Sequence, residues 1–131
     1  MNNKPRKENL EEARSFHCRG RIWLDGPDGT FLAYGRIVLL ERIQQFGSIS
    51  QAAKSMGMSY KHAWDLVDSI NRQADQPLVS KSSGGKRGGG TTLTERGIQA
   101  IAAYWAMDAR FQNYLAEETR RFTAEYLPEQ L

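Results

Sequence analysis

The chain has 131 residues, and its 18 Lys and Arg against 15 Asp and Glu leave a net charge of +3, which permits a polyanionic partner without demanding one. That length suits one domain with an added element, and 40% hydrophobic with 25% charged residues describes an ordinary soluble protein. No apolar run nears the roughly 20 residues that span a bilayer, the first residues Met-Asn-Asn-Lys-Pro-Arg-Lys-Glu lack the apolar core of a secretion signal, and the single cysteine, Cys18, excludes an internal disulfide and suits a reducing cytoplasm.

Residues 1–18 are polar and without periodicity, and are expected to form a flexible basic tail. Arg19 to Gly35 reads as a β-hairpin, because two β-prone runs flank the turn formers Asp25-Gly26-Pro27-Asp28-Gly29. From Arg36 to Phe46 the spacing of Ile37, Leu40 and Ile43 or Gln44 predicts a helix, with Val38 and Leu39 widening its apolar face and Gly47 at its C-terminal cap. Gly47-Ser-Ile-Ser-Gln-Ala-Ala-Lys-Ser-Met-Gly57 then spells a short helix over about 49–56. Ser48 is its cap, with Gln51 placed to complete a capping box, Ala52 and Ala53 allow another helix close, and Gly57 supplies a positive φ. Ser59 caps a third helix over about 60–74. Short helix, glycine turn and second helix make a helix-turn-helix, whose second helix offers its N-terminal residues to the DNA major groove.

Pro77 ends that helix. Leu78-Val79-Ser80-Lys81 and Thr91-Thr92-Leu93-Thr94 read as short strands around the basic glycine loop Ser82–Gly90, which is the arrangement of a winged helix. Thr94 or Thr92 caps a last helix from Glu95 to about Tyr126. At 1.5 Å per residue it is roughly 48 Å long, more than a small domain can cover. Its apolar stripe therefore needs a partner, and self-association is the expectation; the alternative is a helix folded back in two pieces. Between Ser48 and Arg96 seven bases (Lys54, Lys61, Arg72, Lys81, Lys86, Arg87, Arg96) face four acids, whereas beyond Gly97 three arginines face five. A basic centre beside an acidic end fits a nucleic-acid module followed by a protein-contacting element.

Six stretches occur in order: Gly47-Ser-Ile-Ser-Gln-Ala-Ala-Lys, Met58-Ser-Tyr-Lys, Ala63-Trp-Asp-Leu, Pro77-Leu-Val, Gly84-Gly-Lys-Arg-Gly-Gly-Gly90 and Leu93-Thr-Glu-Arg-Gly97. Together, over about residues 19–115, they resemble the N-terminal winged helix-turn-helix of the ModE-type molybdenum-responsive regulators, which is related to that of the LysR-type regulators. The resemblance implies a homodimer gripping a near-palindromic operator, with long helices in the dimer contact. Nothing in the sequence matches the oxyanion-binding domains of the full-length regulators, so molybdate sensing is not carried over and a stand-alone DNA-binding form is expected.

The expected fold is thus mainly α with a small β wing and an N-terminal hairpin: tail 1–18, winged helix-turn-helix 19–94, and a long dimerisation helix with a short tail over 95–131. The expected DNA-contacting residues are Ser48, Ser50, Gln51 and Lys54 on the first helix of the motif; Ser59, Tyr60, Lys61, His62 and Asp65 on the second; and Lys86 and Arg87 in the wing. Ala63, Leu66 or Val67, and Ile70 are expected in the core, and Trp64 with them rather than in the groove. Ile98, Ile101, Trp105, Phe111 and Leu115 are the expected dimer contacts. The glycine loop lacks the Gly-x4-Gly-Lys-Ser/Thr spacing of a P-loop. With two histidines and one cysteine scattered along the chain, neither a metal site nor a catalytic set is expected. No cofactor or small-molecule effector is evident, and a protein–protein adaptor on the same scaffold is the alternative function.

Overall fold

The computed structural model describes residues 15–81, 90–127 and 129. Strands β1 (Trp23–Gly26) and β2 (Gly29–Ala33) form an antiparallel hairpin. Three helices follow, α1 (Tyr34–Phe46), α2 (Ile49–Ser55) and α3 (Tyr60–Gln73). Strands β3 (Val79–Lys81) and β4 (Thr91–Leu93) pair antiparallel with Val79 opposite Leu93 and Lys81 opposite Thr91, and α4 (Glu95–Tyr126) closes the chain. The mainly helical winged-helix fold expected from the sequence is the observed one. Helix α1 begins two residues before Arg36, and α4 is one continuous helix rather than two pieces.

The described residues divide into two units, 21–108 and a second made of 15–20 with 109–129, the boundary falling between Asp108 and Ala109 of α4. In the first unit α1 is the central element. Ile37, Leu39, Leu40 and Ile43 are all fully buried, so Ile43 rather than Gln44 continues the apolar face. Each such side chain contributes about 1.5–3 kcal/mol by leaving water. Ala52 and Ala53 of α2 and Ala63, Val67 and Ile70 of α3 complete this core, and Leu66 lies at its edge. Gln73, at the end of α3, fastens the hairpin: its Nε2 donates to the Thr30 carbonyl at 2.9 Å and its Oε1 accepts from Asp28 N–H at 3.3 Å. Tyr104 of α4 is buried and donates to the Ile22 carbonyl at 3.2 Å. Burial first, and then the Asp108 carboxylate, hold its hydroxyl pKa above the usual tyrosine value.

The segment Pro77–Val79 joins α3, the β3–β4 pair and α4. Asn71 Oδ1 accepts from the backbone N–H groups of Leu78 (2.9 Å) and Val79 (3.2 Å), and its Nδ2 donates to the Val79 carbonyl at 2.9 Å. From the other side Thr94 N–H donates to the Leu78 carbonyl at 2.9 Å and Thr94 Oγ1 to the Pro77 carbonyl at 2.7 Å. The same Oγ1 accepts from Gly97 N–H at 3.1 Å, so Thr94, not Thr92, caps α4. Asp75 and Arg96 add an exposed two-point ion pair, Nε–Oδ1 at 3.2 Å and Nη2–Oδ2 at 2.9 Å.

In the second unit Phe16 meets Phe122 and Tyr126 edge-on at 5.6 and 6.2 Å, Thr119 Oγ1 accepts from Cys18 N–H at 2.7 Å, and Gly20 lies against Phe111 and Leu115. Residues 15–18, expected to end a loose tail, instead make specific contacts with the helix that the sequence left uncovered. The reason is apolar: Phe16 has an aromatic pair to join, and Gly20 has no side chain to hold Phe111 away.

Two outcomes test this packing. A Cβ at Gly97 would lie 2.3 Å from the Leu78 carbonyl oxygen. Gly97→Ala is therefore expected to lower stability by about 1–3 kcal/mol, read by urea denaturation, despite the better helix propensity of alanine. The hydrogen bond from Arg96 chiefly holds the Asp75 carboxyl below its ordinary pKa. The stabilisation it brings is therefore present above the unfolded carboxylate pKa and is lost as pH falls through the lowered value. Asp75→Asn is expected to reduce stability slightly at neutral pH, and the two proteins should converge below the ordinary carboxylate range in urea titrations across pH.

Candidate nucleic-acid interface

The turn between α2 and α3 is set by backbone hydrogen bonds. Gly57, at φ 67°, donates to the Lys54 carbonyl at 3.2 Å, and Met58 N–H reaches the Ala53 carbonyl at 3.1 Å. This closes α2 in a glycine-terminated cap that a side chain at residue 57 would strain. Both helices begin with capped ends. Ser48 Oγ accepts from Gln51 N–H at 3.2 Å, and Ser59 Oγ accepts from His62 N–H at 3.1 Å. Strand β4 is tied to the start of the motif by Thr91 N–H donating to the Gly47 carbonyl at 2.9 Å.

The residues expected to touch DNA from α2 and α3 lie at or near the surface. Ser50, Gln51, Lys54, Ser59, Tyr60, Lys61, His62 and Asp65 are exposed, and Ser48 is half-buried. Tyr60 keeps 56% of its surface open. Lys61 Nζ and Asp65 Oδ2 are 3.0 Å apart, but both side chains are mostly exposed, so the pair is weak and easily exchanged for another anion. Arg72 and Asp68 form a similar pair at 3.0 Å one turn further on. The first turn of α3 therefore offers a phenol, an ammonium and an imidazole beside a helix N-terminus whose dipole favours anions. Lys86 and Arg87 lie outside the described residues.

Trp64 departs from its expected place in the core: it is 42% exposed. Helical spacing explains the difference. The buried face of α3 is set by Ala63, Val67 and Ile70, and Trp64 stands on its flank in line with Tyr60 and Asn71. There it lines a hollow of about 140 Å³ together with Ile49, Val67, Asp68, Asn71, Val79, Ser80, Lys81 and Thr91. Asn71 carries no role in the sequence motifs, although a polar residue next to a buried face and eight positions before a strand is a usable signal for a side-chain-to-backbone bond.

The residues expected in a dimer contact are placed unequally. Ile98 is 47% exposed, whereas Ile101 packs against the core at its edge. Trp105 Nε1 donates to Glu41 at 3.2 Å and its ring meets Tyr34 and Tyr104 edge-on. Leu115 is 6% exposed and, with the half-buried Phe111, has cover from Gly20 within its own unit. Leu115 therefore has little surface left open within its own unit. Tyr114, Phe122 and Tyr126 are 58%, 48% and 65% exposed.

Residues 35–98 match the family described as bacterial regulatory helix-turn-helix protein, lysR family. Over this segment the chain is similar to the helix-turn-helix of LysR-type regulators. The segment takes in α2, α3, both short strands and the start of α4, so the match covers the elements that carry the exposed residues. The chain is 45% identical over 101 residues to the molybdenum transport protein ModE of Azotobacter vinelandii, covering 77% of this chain and 37% of that protein. It is 46% identical over 81 residues to the molybdenum-pterin-binding protein MopB of Rhodobacter capsulatus, covering 62% and 30%. With the DNA-binding transcriptional dual regulator ModE of Escherichia coli K12 it shares 48% over 69 residues, covering 53% and 26%. The chain thus spans between about a quarter and somewhat over a third of the length of these relatives. The resemblance to ModE-type regulators seen in the ordered motifs is real and reaches beyond the LysR-type domain. Among the described residues no helix is long and apolar enough to cross a membrane, and no group of three or more His, Cys, Asp or Glu is placed to hold a metal ion.

Proposed function

We propose that this chain is a sequence-specific DNA-binding transcriptional regulator that acts as a homodimer on a near-palindromic operator. One observation carries the reading: the capped N-terminus of α3 holds Tyr60, Lys61 and His62 in solvent at the open start of a helix that Ala63, Val67 and Ile70 anchor in the core. A helix so held can enter the major groove, where a lysine donates to guanine O6 and N7 and a tyrosine hydroxyl reaches a base edge or phosphate. Ser48, Ser50, Gln51 and Lys54 on α2 are suited to backbone phosphates, which set position rather than sequence. The basic pair Lys86 and Arg87 suits the narrow, negative minor groove. Similarity to relatives named as transcriptional regulators supports the same reading. The molybdenum and pterin in other relatives' names belong to those proteins.

Selection of genomic fragments by the purified chain tests the function and yields the operator. A winged-helix adaptor without DNA binding would retain no duplex even at low salt. With the selected duplex, Tyr60→Ala and Lys61→Ala are each expected to weaken specific binding by about 1–3 kcal/mol without a change in thermal melting. Unchanged affinity in both would remove α3 from the interface. Replacing Lys86 and Arg87 together by alanine is expected to weaken all duplexes alike and to flatten log K against log salt by about two units per subunit.

The homodimer is supported by the exposed aromatics Tyr114, Phe122 and Tyr126 and by Ile98, which leave apolar surface on α4 that a second copy would cover. Two-fold pairing would also place two α3 helices on half-sites a helical turn apart. Sedimentation of the intact chain at tens of micromolar is expected to show a dimer. A monomer there would remove the palindrome along with it.

A further inference from the structure

The hollow beside α3 has a chemistry that reading groove bases does not use. We infer that it seats the sugar–phosphate chain of one DNA strand, with the Trp64 ring against a deoxyribose and Lys81 and Thr91 as donors to the adjoining phosphates; this rests on α3 being the groove-reading helix.

Four observations lead there. Trp64 stands one turn after Tyr60 on the same flank of α3, so the surface continues directly from the proposed reading head. If the first turn of α3 lies in the groove, the flank of the next turn faces the groove wall, which is the backbone. The lining combines apolar Ile49, Val67 and Val79 with a lysine and a hydroxyl, Lys81 and Thr91, which pair across β3 and β4 on the face that Val79 shares. An apolar patch bordered by cationic and hydroxyl donors matches a sugar bordered by phosphates. The volume, about 140 Å³, is below the roughly 300 Å³ at which pockets for drug-sized ligands begin, which argues against a cofactor. Finally, Asn71 spends its amide on the β3 backbone and so fixes the distance between the indole and Lys81. The one adverse charge in the lining, Asp68, is offset by Arg72 at 3.0 Å.

The experiment combines affinity with two footprints on the full chain. The probes are the selected duplex and a random-sequence duplex. Hydroxyl radicals report on deoxyribose, and methylation of guanine N7 reports on the major groove. Trp64→Ala is expected to weaken both duplexes by roughly tenfold, the scale of a lost tryptophan anchor. It should abolish sugar protection beside the α3 half-site and leave N7 protection in place. Trp64→Phe, which keeps an aromatic face, should retain the sugar protection, and Lys81→Ala should lower the salt slope by about one unit. Phosphate ethylation at the protected sugars, which needs no variant, should block binding of the unaltered chain. The inference is overturned by sugar protection that survives Trp64→Ala, by ethylation there without effect, or by a loss confined to the selected sequence. It is also overturned if Trp64→Ala dissociates the protein in sedimentation, since a second copy would then be the occupant. Failure of the unaltered chain to retain any duplex, or full affinity in Tyr60→Ala and Lys61→Ala, would instead sink the reading of α3 itself.

Discussion

Three backbone groups in the stretch Leu78–Val79 are claimed by the amide of Asn71, and much of the first unit is arranged around that fact. A strand edge with no neighbouring strand on that side would leave donors and an acceptor unmatched, at a cost of about 1–3 kcal/mol for each buried group. The Asn71 amide sets an oxygen with two lone pairs beside a donor nitrogen at the spacing of a peptide unit, so it substitutes for the missing strand. Because Asn71 belongs to α3, the same bonds fix α3 against β3. Thr94 and Gly97 approach the segment from the α4 side, where the absent side chain of Gly97 permits the Leu78 carbonyl to come close. Helix, strand pair and following helix are thereby held through three residues.

That arrangement bears on the contact proposed for the exposed end of α3. Affinity for a nucleic acid depends on contacts to two surfaces at once, and flexibility between them would be lost on binding as entropy. Here the strand pair is fastened to α3 by Asn71 and to the C-terminal cap of α1 by the Thr91–Gly47 bond. The first turn of α3 itself is held by the Ser59 cap, while its side chains carry only a weak exposed ion pair, Lys61 with Asp65. Rigid backbone with lightly engaged side chains is the combination that lets contacts form at low cost.

Helix α4 shows how a single amphipathic element can serve two environments. Along its first part Tyr104 and Trp105 find polar partners for their ring atoms, in the Ile22 carbonyl and the Glu41 carboxylate, so both can sit low in the first unit. In the second unit Phe111 and Leu115 meet the backbone of Gly20, and Phe16 joins Phe122 and Tyr126. The stripe is therefore partly satisfied by Phe16 and Gly20, and what remains open is Ile98 and the aromatics Tyr114, Phe122 and Tyr126 rather than a continuous leucine seam.

The sequence by itself determined the local elements, because their signals are short-range. Caps such as Ser48 and Ser59, the positive-φ glycines at 47 and 57, and the period of Ile37, Leu40 and Ile43 act within a few residues of themselves. The exposure of Lys61 was legible for the same reason, since the face opposite Ala63, Val67 and Ile70 must turn outward, and that of Tyr60 because it stands at the open start of α3. Only the tertiary structure decided the fate of residues whose partners are distant in sequence. Trp64 is large and apolar, which argues for the core, yet its position on the flank of α3 beside the strand pair of residues 79–81 and 91–93 leaves it open. The residues near Phe16 looked like tail until Thr119 and Phe122, about a hundred positions away, supplied contacts. Asn71 looked like one more polar helical residue until the chain after Pro77 returned beside it. Periodicity reports which face of a helix is apolar; which chain segment then covers that face is a long-range choice that only the folded packing makes.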